Sequence, residues 1–208
     1  MSELRIIKNS YYLYIFMLLI SIIISVLVAI NKNEKDEIKY FSEYDVMTGV
    51  YNRRAGFEKL SQLYKNIGKV NCVISICFID INGLKEVNDA LGHEAGDELI
   101  LSVIAGIKKN IRNLDFVARL GGDEFLIIFE GLNESEAEEV WKRIIKEYKE
   151  VNKTENRRYL ISASHGIEVF GCDSNQFIDE IVNKADEKMY NEKREIKKNL
   201  KVLRTPVN

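Results

Sequence analysis

Proline is nearly absent: Pro206 is the only one in 208 residues. With almost no proline to remove backbone donors, the body of the chain is free to form uninterrupted helix and strand. Cysteine is scarce too. Cys72, Cys77 and Cys172 form no C-x-x-C pair, which excludes a disulfide framework and a zinc site. They read as small buried hydrophobes in a reducing compartment. Cys72 and Cys77 lie five apart in one apolar run, so a strand there would turn them to opposite faces. Excess charge of either sign is also missing, since 30 Lys+Arg against 32 Asp+Glu leave a net charge of -2. That is not the basic surplus of a nucleic-acid binder, and no nucleic-acid partner is expected. Small phosphorylated ligands, which need only a few local charges, remain allowed. No internal repeat or low-complexity segment occurs. What is present is 46% hydrophobic and 30% charged residues. This is enough for one packed domain of ordinary size with an extension.

The extension is apolar. Residues 11–30 read YYLYIFMLLISIIISVLVAI, with no charge between Lys8 and Lys32. Twenty helical residues span ~30 Å, the thickness of a hydrocarbon core. Tyr11, Tyr12 and Tyr14 sit where an interfacial aromatic belt sits. A cleaved signal peptide fits less well, because its apolar region is shorter and ends at a small-x-small site. The expectation is therefore an uncleaved transmembrane helix at 11–30 in contact with membrane lipid. It is preceded by a short flank (1–10) with no sensor domain and followed by a helical linker (31–44). Lys32, Lys35 and Lys39 on one side slightly outnumber Arg5 and Lys8 on the other, which favours a cytoplasmic C-terminal side. The linker either continues as a helix that sets two chains side by side or is a solvated spacer.

From Asp45 onward the hydrophobic period switches between 3.6 and 2. Helices are predicted at 52–67, 83–91, 94–110, 134–151 and 174–196. Strands are predicted at 70–79, 116–119, 124–129 and 159–170, with a further edge strand at 201–203. The continuous run VNCVISICFI suits a central strand covered on both faces. Gly121-Gly122 between two short strands is a hairpin signal. The fold class is α/β (α+β), with a mixed β-sheet flanked by helices.

Acidic groups stand where buried strands emerge. Asp80 ends the apolar run, and Asp123 and Glu124 follow the diglycine. Such carboxylates are costly unless solvated, paired or bound to a cation. If the two strands are neighbours, the acids converge at one sheet edge and suit Mg²⁺, which binds carboxylates and substrate phosphates together. Gly121 and Gly122 let the backbone approach a triphosphate closely. Asp123 and Glu124 are adjacent, however, so a regular strand would point them apart. Both serve one site only if the turn distorts the strand. His93 and His165 read as structural hydrogen-bond formers rather than catalysts.

Arg119-Leu120-Gly121-Gly122-Asp123-Glu124-Phe125 contains the signature of the GGDEF family, the diguanylate cyclases. Other segments resemble the family's pattern in order and spacing. They are Asp45 to Arg54 (DVMTGVYNRR), Phe78-Ile79-Asp80-Ile81-Asn82, Lys85 to Asp89 (KEVND) and Gly92 to Asp97 (GHEAGD). Ser164-His165-Gly166 and Ala185 to Tyr190 (ADEKMY) with Lys193 continue it. The resemblance covers about 160 residues, 45–205.

The resemblance implies a palm-like fold related to nucleotide cyclases. It implies condensation of two GTP into cyclic di-GMP with release of two pyrophosphates. Each of two facing domains holds one GTP, so a homodimer is required. Carried onto this sequence, Asp80, the Ile81 carbonyl, Asp123 and Glu124 are implied as metal ligands. They would hold two Mg²⁺ per site, with Mn²⁺ as a substitute. Asp123 is the implied base for the attacking 3′-hydroxyl, unless the metal alone lowers that hydroxyl's pKa. Asn88 and Asp97 are implied to read the guanine edge, with Leu84 packing on the base. Lys85, Lys193 and Lys197 are implied to neutralise phosphates beside Gly121 and Gly122. Arg112 and Asp115 match an R-x-x-D site at which product binds and inhibits.

Departures are Asn82 and Leu84, where the family often has Asp and Phe, and Lys197, where many members have Arg. No implied metal ligand is lost, so activity is expected. The resulting expectation is a single-pass enzyme of the inner, cytoplasmic membrane with its catalytic domain in the cytoplasm. The alternative is a catalytically weak domain that serves as a receptor for cyclic di-GMP or GTP.

Overall fold

The computed structural model describes residues 17–18, 20–28, 30, 32, 40–70, 73–171 and 177–203. The chain divides into two units, 1–42 and 43–208. In the first, residues 17–18, 20–28, 30, 32 and 40–42 are helical. The rest of the expected membrane span, and most of the expected linker, lie outside the described residues. Among the described residues no helix is long and apolar enough to cross a membrane.

The second unit is a mixed sheet flanked by helices. In chain order it runs β1 (Tyr51–Asn52), α1 (Arg53–Val70), β2 (Ile74–Ile81), α2 (Leu84–Leu91) and α3 (His93–Asn110). It continues with β3 (Phe116–Gly121), β4 (Glu124–Glu130), α4 (Glu134–Thr154), β5 (Ala163–Phe170) and α5 (Ile178–Asn199). The sheet order is β1-β3-β4-β2-β5. Among the described strands β1 pairs with β3 in parallel, and β3–β4, β4–β2 and β2–β5 are antiparallel.

Period-two alternation on β2 and β4 builds two cores. Cys77, Ile79, Ile81, Phe125, Ile127 and Phe129 turn to one face, under Leu99, Val103 and Ile107 of α3 and Val140, Trp141 and Ile144 of α4. Ile74, Ile76, Phe78, Leu126 and Ile128 turn to the other, under Leu60 of α1 and Ile181, Ala185 and Met189 of α5. Both faces of β2 are thus covered, which is why its sequence is continuously apolar. Asn133 and Glu136 start α4 with a reciprocal capping box.

At Gly166 of β5 the α5 backbone lies close against the sheet. A Cβ there would overlap the Ala185 carbonyl and the Met189 amide. Backbone cannot yield as a side chain can, so Gly166→Ala is expected to cost about 2–3 kcal/mol of stability. A denaturant titration followed by far-UV circular dichroism reads this as a lower midpoint. An unchanged midpoint would show that α5 docks less tightly than described.

Several element boundaries differ from the expectation. Val70 closes α1 rather than opening β2, and the expected placement of Cys72 on that strand lies, like Cys172, outside the described residues. Cys77 is buried and free. The predicted strand 159–170 is split: Tyr159 bridges Leu203, whereas pairing with β2 starts only at Ala163. The expected edge strand 201–203 amounts to that single bridge. The last helix runs from Ile178 to Asn199, three residues beyond the predicted end.

Candidate active site

The alternation that builds the core also places the acids. Asp80 has the parity of Phe78 and Ile76, and Glu124 that of Leu126 and Ile128. Both therefore face α1 and α5, and the register sets Asp80 directly opposite Glu124. Asp123 belongs to the turn, not to a strand. There Gly122 adopts a left-handed φ of 49°, and the β3–β4 register shifts between Arg119 and Gly121. Asp123 is thereby outside the strand alternation that would set it on the opposite face from Glu124.

The electrostatics bind the three acids into one site. Burial pushes the Asp80 carboxyl up to about 6, the Lys193 hydrogen bond pulls it down, and the charges of Asp123 and Glu124 push it up. Glu124 is raised by burial, then by Asp123 and Asp186, against Lys193 and Arg53. Lys193 Nζ lies 2.5 Å from Asp80 Oδ1. That buried oxygen has no other donor among the described residues. An under-satisfied buried carboxylate beside two more acids fits a hard divalent cation such as Mg²⁺. Among the described residues no group of three His, Cys, Asp or Glu side chains is placed to hold a metal ion by itself. An Mg²⁺ site that leaves positions to phosphate oxygens and water needs none.

The turn is clamped from behind. Arg119 donates from Nε and Nη2 to the Gly122 carbonyl at 3.1 and 2.8 Å. Its Nη1 reaches Asp45 Oδ1 at 3.1 Å. Asp45 also accepts from the Thr48 amide and hydroxyl at 2.9 and 2.6 Å. Burial would raise the Asp45 carboxyl, but the Thr48 and Arg119 bonds outweigh it and hold it low. The start of the domain thus fixes the turn that carries Asp123.

A cavity of about 230 Å³ opens beside the acids and brings together Ile81, Leu84, Lys85, Asp123, Lys193 and Lys197. Leu200 and Val202, after α5, close its wall. Asn88 and Asp97 do not line it; they stand at the α2–α3 corner. Asp97 is exposed, and Asn88 is half-buried with its amide against Gly96, where a Cβ would overlap Asn88 Oδ1.

Arg112 and Asp115 form a separate locus. Arg112 Nε and Nη2 grip the Asp115 carboxylate at 3.1 and 2.8 Å, and Nη2 also donates to the Glu130 carbonyl at 2.8 Å. The Asp115 side chain is fully buried, while that of Arg112 is 45% exposed. His165 contacts none of the three acids. Its ring stacks on Trp141 and meets Glu192 at 2.9 Å and Glu138 at 3.2 Å. Sequence reasoning gave no role to Arg119, Arg53, Asp186 or Val202. Asp186 and Arg53 sit inside quoted motifs, so a signal existed. Val202 carried none, because its contact with the site is purely tertiary.

A five-stranded mixed sheet of this order, flanked by helices and with acids at the β2 end and the β3–β4 turn, has the fold of the GGDEF cyclases. The family model described as "Diguanylate cyclase, GGDEF domain" matches residues 42–199, and the chain belongs to that family. It is 34% identical over 161 residues to the signaling protein YkoW of Bacillus subtilis, covering 76% of this chain and 20% of that protein. It is 32% identical over 157 residues to the bifunctional diguanylate cyclase/cyclic di-GMP phosphodiesterase MucR of Pseudomonas aeruginosa, covering 76% and 23%. The matches thus span about a fifth of the length of these curated relatives. The fold is shared with the coiled coil and GGDEF domain of DgcB from Caulobacter crescentus, solved with c-di-GMP. There the TM-score is 0.74 at 24% identity, covering 82% of this chain and 91% of that one.

Proposed function

We propose that this chain is a diguanylate cyclase that condenses two GTP into cyclic di-GMP and releases two pyrophosphates. The observation that carries this is that Asp80 and Glu124 stand opposite each other on one face, both under the charge of Asp123, which lines a neighbouring cavity with Lys85, Lys193 and Lys197. The 3′-hydroxyl oxygen of each nucleotide forms a bond to the α-phosphorus of the other, and pyrophosphate leaves. One domain holds one GTP, so two chains must face each other. Asp123 accepts the hydroxyl proton. The lysines offset phosphate charge, and Asn88 and Asp97 accept from the guanine edge.

The residues that would hold Mg²⁺ are Asp80, Asp123, Glu124 and the Ile81 carbonyl. When bound it supplies charge stabilisation at the phosphates. Cyclic di-GMP acts back through Arg112 and Asp115. Residues 11–30 anchor the chain in the cytoplasmic membrane with the catalytic domain in the cytoplasm, a reading supported by their length and lack of charge.

Equilibrium binding of a non-cleavable GTP analogue tests the nucleotide site. Saturable binding in the presence of Mg²⁺, with at least about tenfold preference over the ATP analogue, is expected from a site built to accept guanine donors. Equal affinity for both, or none, would sink the reading. Gly96→Ala should push the Asn88 amide aside and raise the KM for GTP about tenfold with kcat little changed, the loss of one hydrogen bond to the base. Steady-state kinetics check this, and an unchanged KM would remove Asn88 from base recognition.

A further inference from the structure

The strand end that carries Asp80 is tied to the segment ahead of β5 by a small polar latch that the reaction itself does not use. The Asn82 amide N–H donates to the Ser162 carbonyl at 2.9 Å. Asn82 Nδ2 donates to Ser162 Oγ at 3.0 Å, and Ser164 Oγ donates to Asn82 Oδ1 at 2.9 Å. Asn82 and Ser164 are buried, so these bonds are not shared with bulk water. The latch also falls where the predicted strand 159–170 is interrupted, between the Tyr159 bridge and Ala163.

Peptide planarity gives the latch a consequence. The Ile81 carbonyl and the Asn82 N–H belong to one planar unit and point in opposite directions. With the N–H held toward Ser162, on the β5 side, the Ile81 carbonyl is turned toward β4. The neighbouring unit agrees, since the Ile81 N–H donates to the Asp123 carbonyl on that same side at 3.1 Å. We propose that Ser162, Asn82 and Ser164 are positioning residues that aim the Ile81 carbonyl at the divalent-cation site between Asp80 and Asp123. This rests on the cyclase reading above. Asn82 suits the task because its amide both donates and accepts, so it engages two serines at once without adding a fourth carboxylate beside Asp80.

The test titrates Mn²⁺ into the full chain saturated with a non-cleavable GTP analogue and follows water proton relaxation. Asn82→Leu, which fills the buried space without polar atoms, and Ser162→Ala, which spares Asn82, are compared with the unaltered protein. Neither variant removes the backbone bond itself, but each removes side-chain bonds that hold the two peptides in register, and each is expected to weaken Mn²⁺ binding about tenfold, the scale on which groups that orient a ligand act. Melting temperature and metal-free affinity for the analogue should stay unchanged in Ser162→Ala. Equal Mn²⁺ affinity in both variants, or a loss matched by the metal-free analogue affinity, would overturn the latch alone. If the unaltered protein gave no relaxation change, the cyclase reading would fall with it.

Discussion

Asp123→Asn is expected to abolish cyclic di-GMP synthesis while leaving the fold intact. Asp123 stands in the Gly122 turn, where its charge raises both Asp80 and Glu124. The amide keeps the size of the side chain, and the Asp123 carbonyl still accepts from the Ile81 amide. What is lost is one anionic oxygen at the proposed cation site and the proposed acceptor of the 3′-hydroxyl proton. Several kcal/mol of charge stabilisation at the phosphates corresponds to a fall in kcat of about 10³. Removing one like charge should also ease the crowding around Asp80 and Glu124, so the melting temperature should hold or rise. Product chromatography and a thermal melt on one sample check both halves. Retained synthesis would remove Asp123 from the chemistry.

On the proposed function, Arg112→Ala is expected to relieve inhibition by cyclic di-GMP. The buried Asp115 carboxylate holds one edge of the guanidinium, while the side chain is half exposed. The Nη1 edge is thereby left without a partner among the described residues and is open to a phosphate or guanine edge. An arginine that anchors a ligand in this way contributes ≥ ~2 kcal/mol, so the concentration for half-inhibition should rise at least about 30-fold. Arg112→Lys keeps the charge but not the fork and should fall between the two. The same variants separate the two functional classes. In a cyclase, Arg112→Ala leaves GTP turnover intact. In a receptor without turnover, it removes the only binding that matters. Inhibition unchanged in Arg112→Ala would place product control elsewhere.

How much of this was legible in the sequence depends on range. The strands β2, β3 and β4 announced themselves through apolar runs and the diglycine. Once they pair, period two alone sets Asp80 and Glu124 on one face. The reach of Asp123 was not legible, because it depends on a register shift that only the folded turn contains. Val70 was misplaced because Gly68-Lys69 reads as the end of the helix and only Asn71 separates Val70 from the apolar run that leads into β2. Two-residue β1 is too short to show a period, and its pairing with β3 is wholly tertiary. The clamp from Asp45 to Arg119 spans 74 residues, and the tie from Asn82 to Ser164 spans 82. Neither leaves a local trace beyond a polar residue in an unexpected place. Asn82 was such a residue, where the family often carries Asp, and its partners become visible only in the fold.

The central claim is that these acids make a phosphodiester bond between two GTP molecules. Full-length protein in detergent or nanodiscs, incubated with GTP and Mg²⁺, tests it most directly when the nucleotides are separated by chromatography. The account predicts that cyclic di-GMP appears with two pyrophosphates for each product, at a rate per chain that rises with protein concentration. GTP recovered unchanged, from a sample that still binds the GTP analogue, would contradict it.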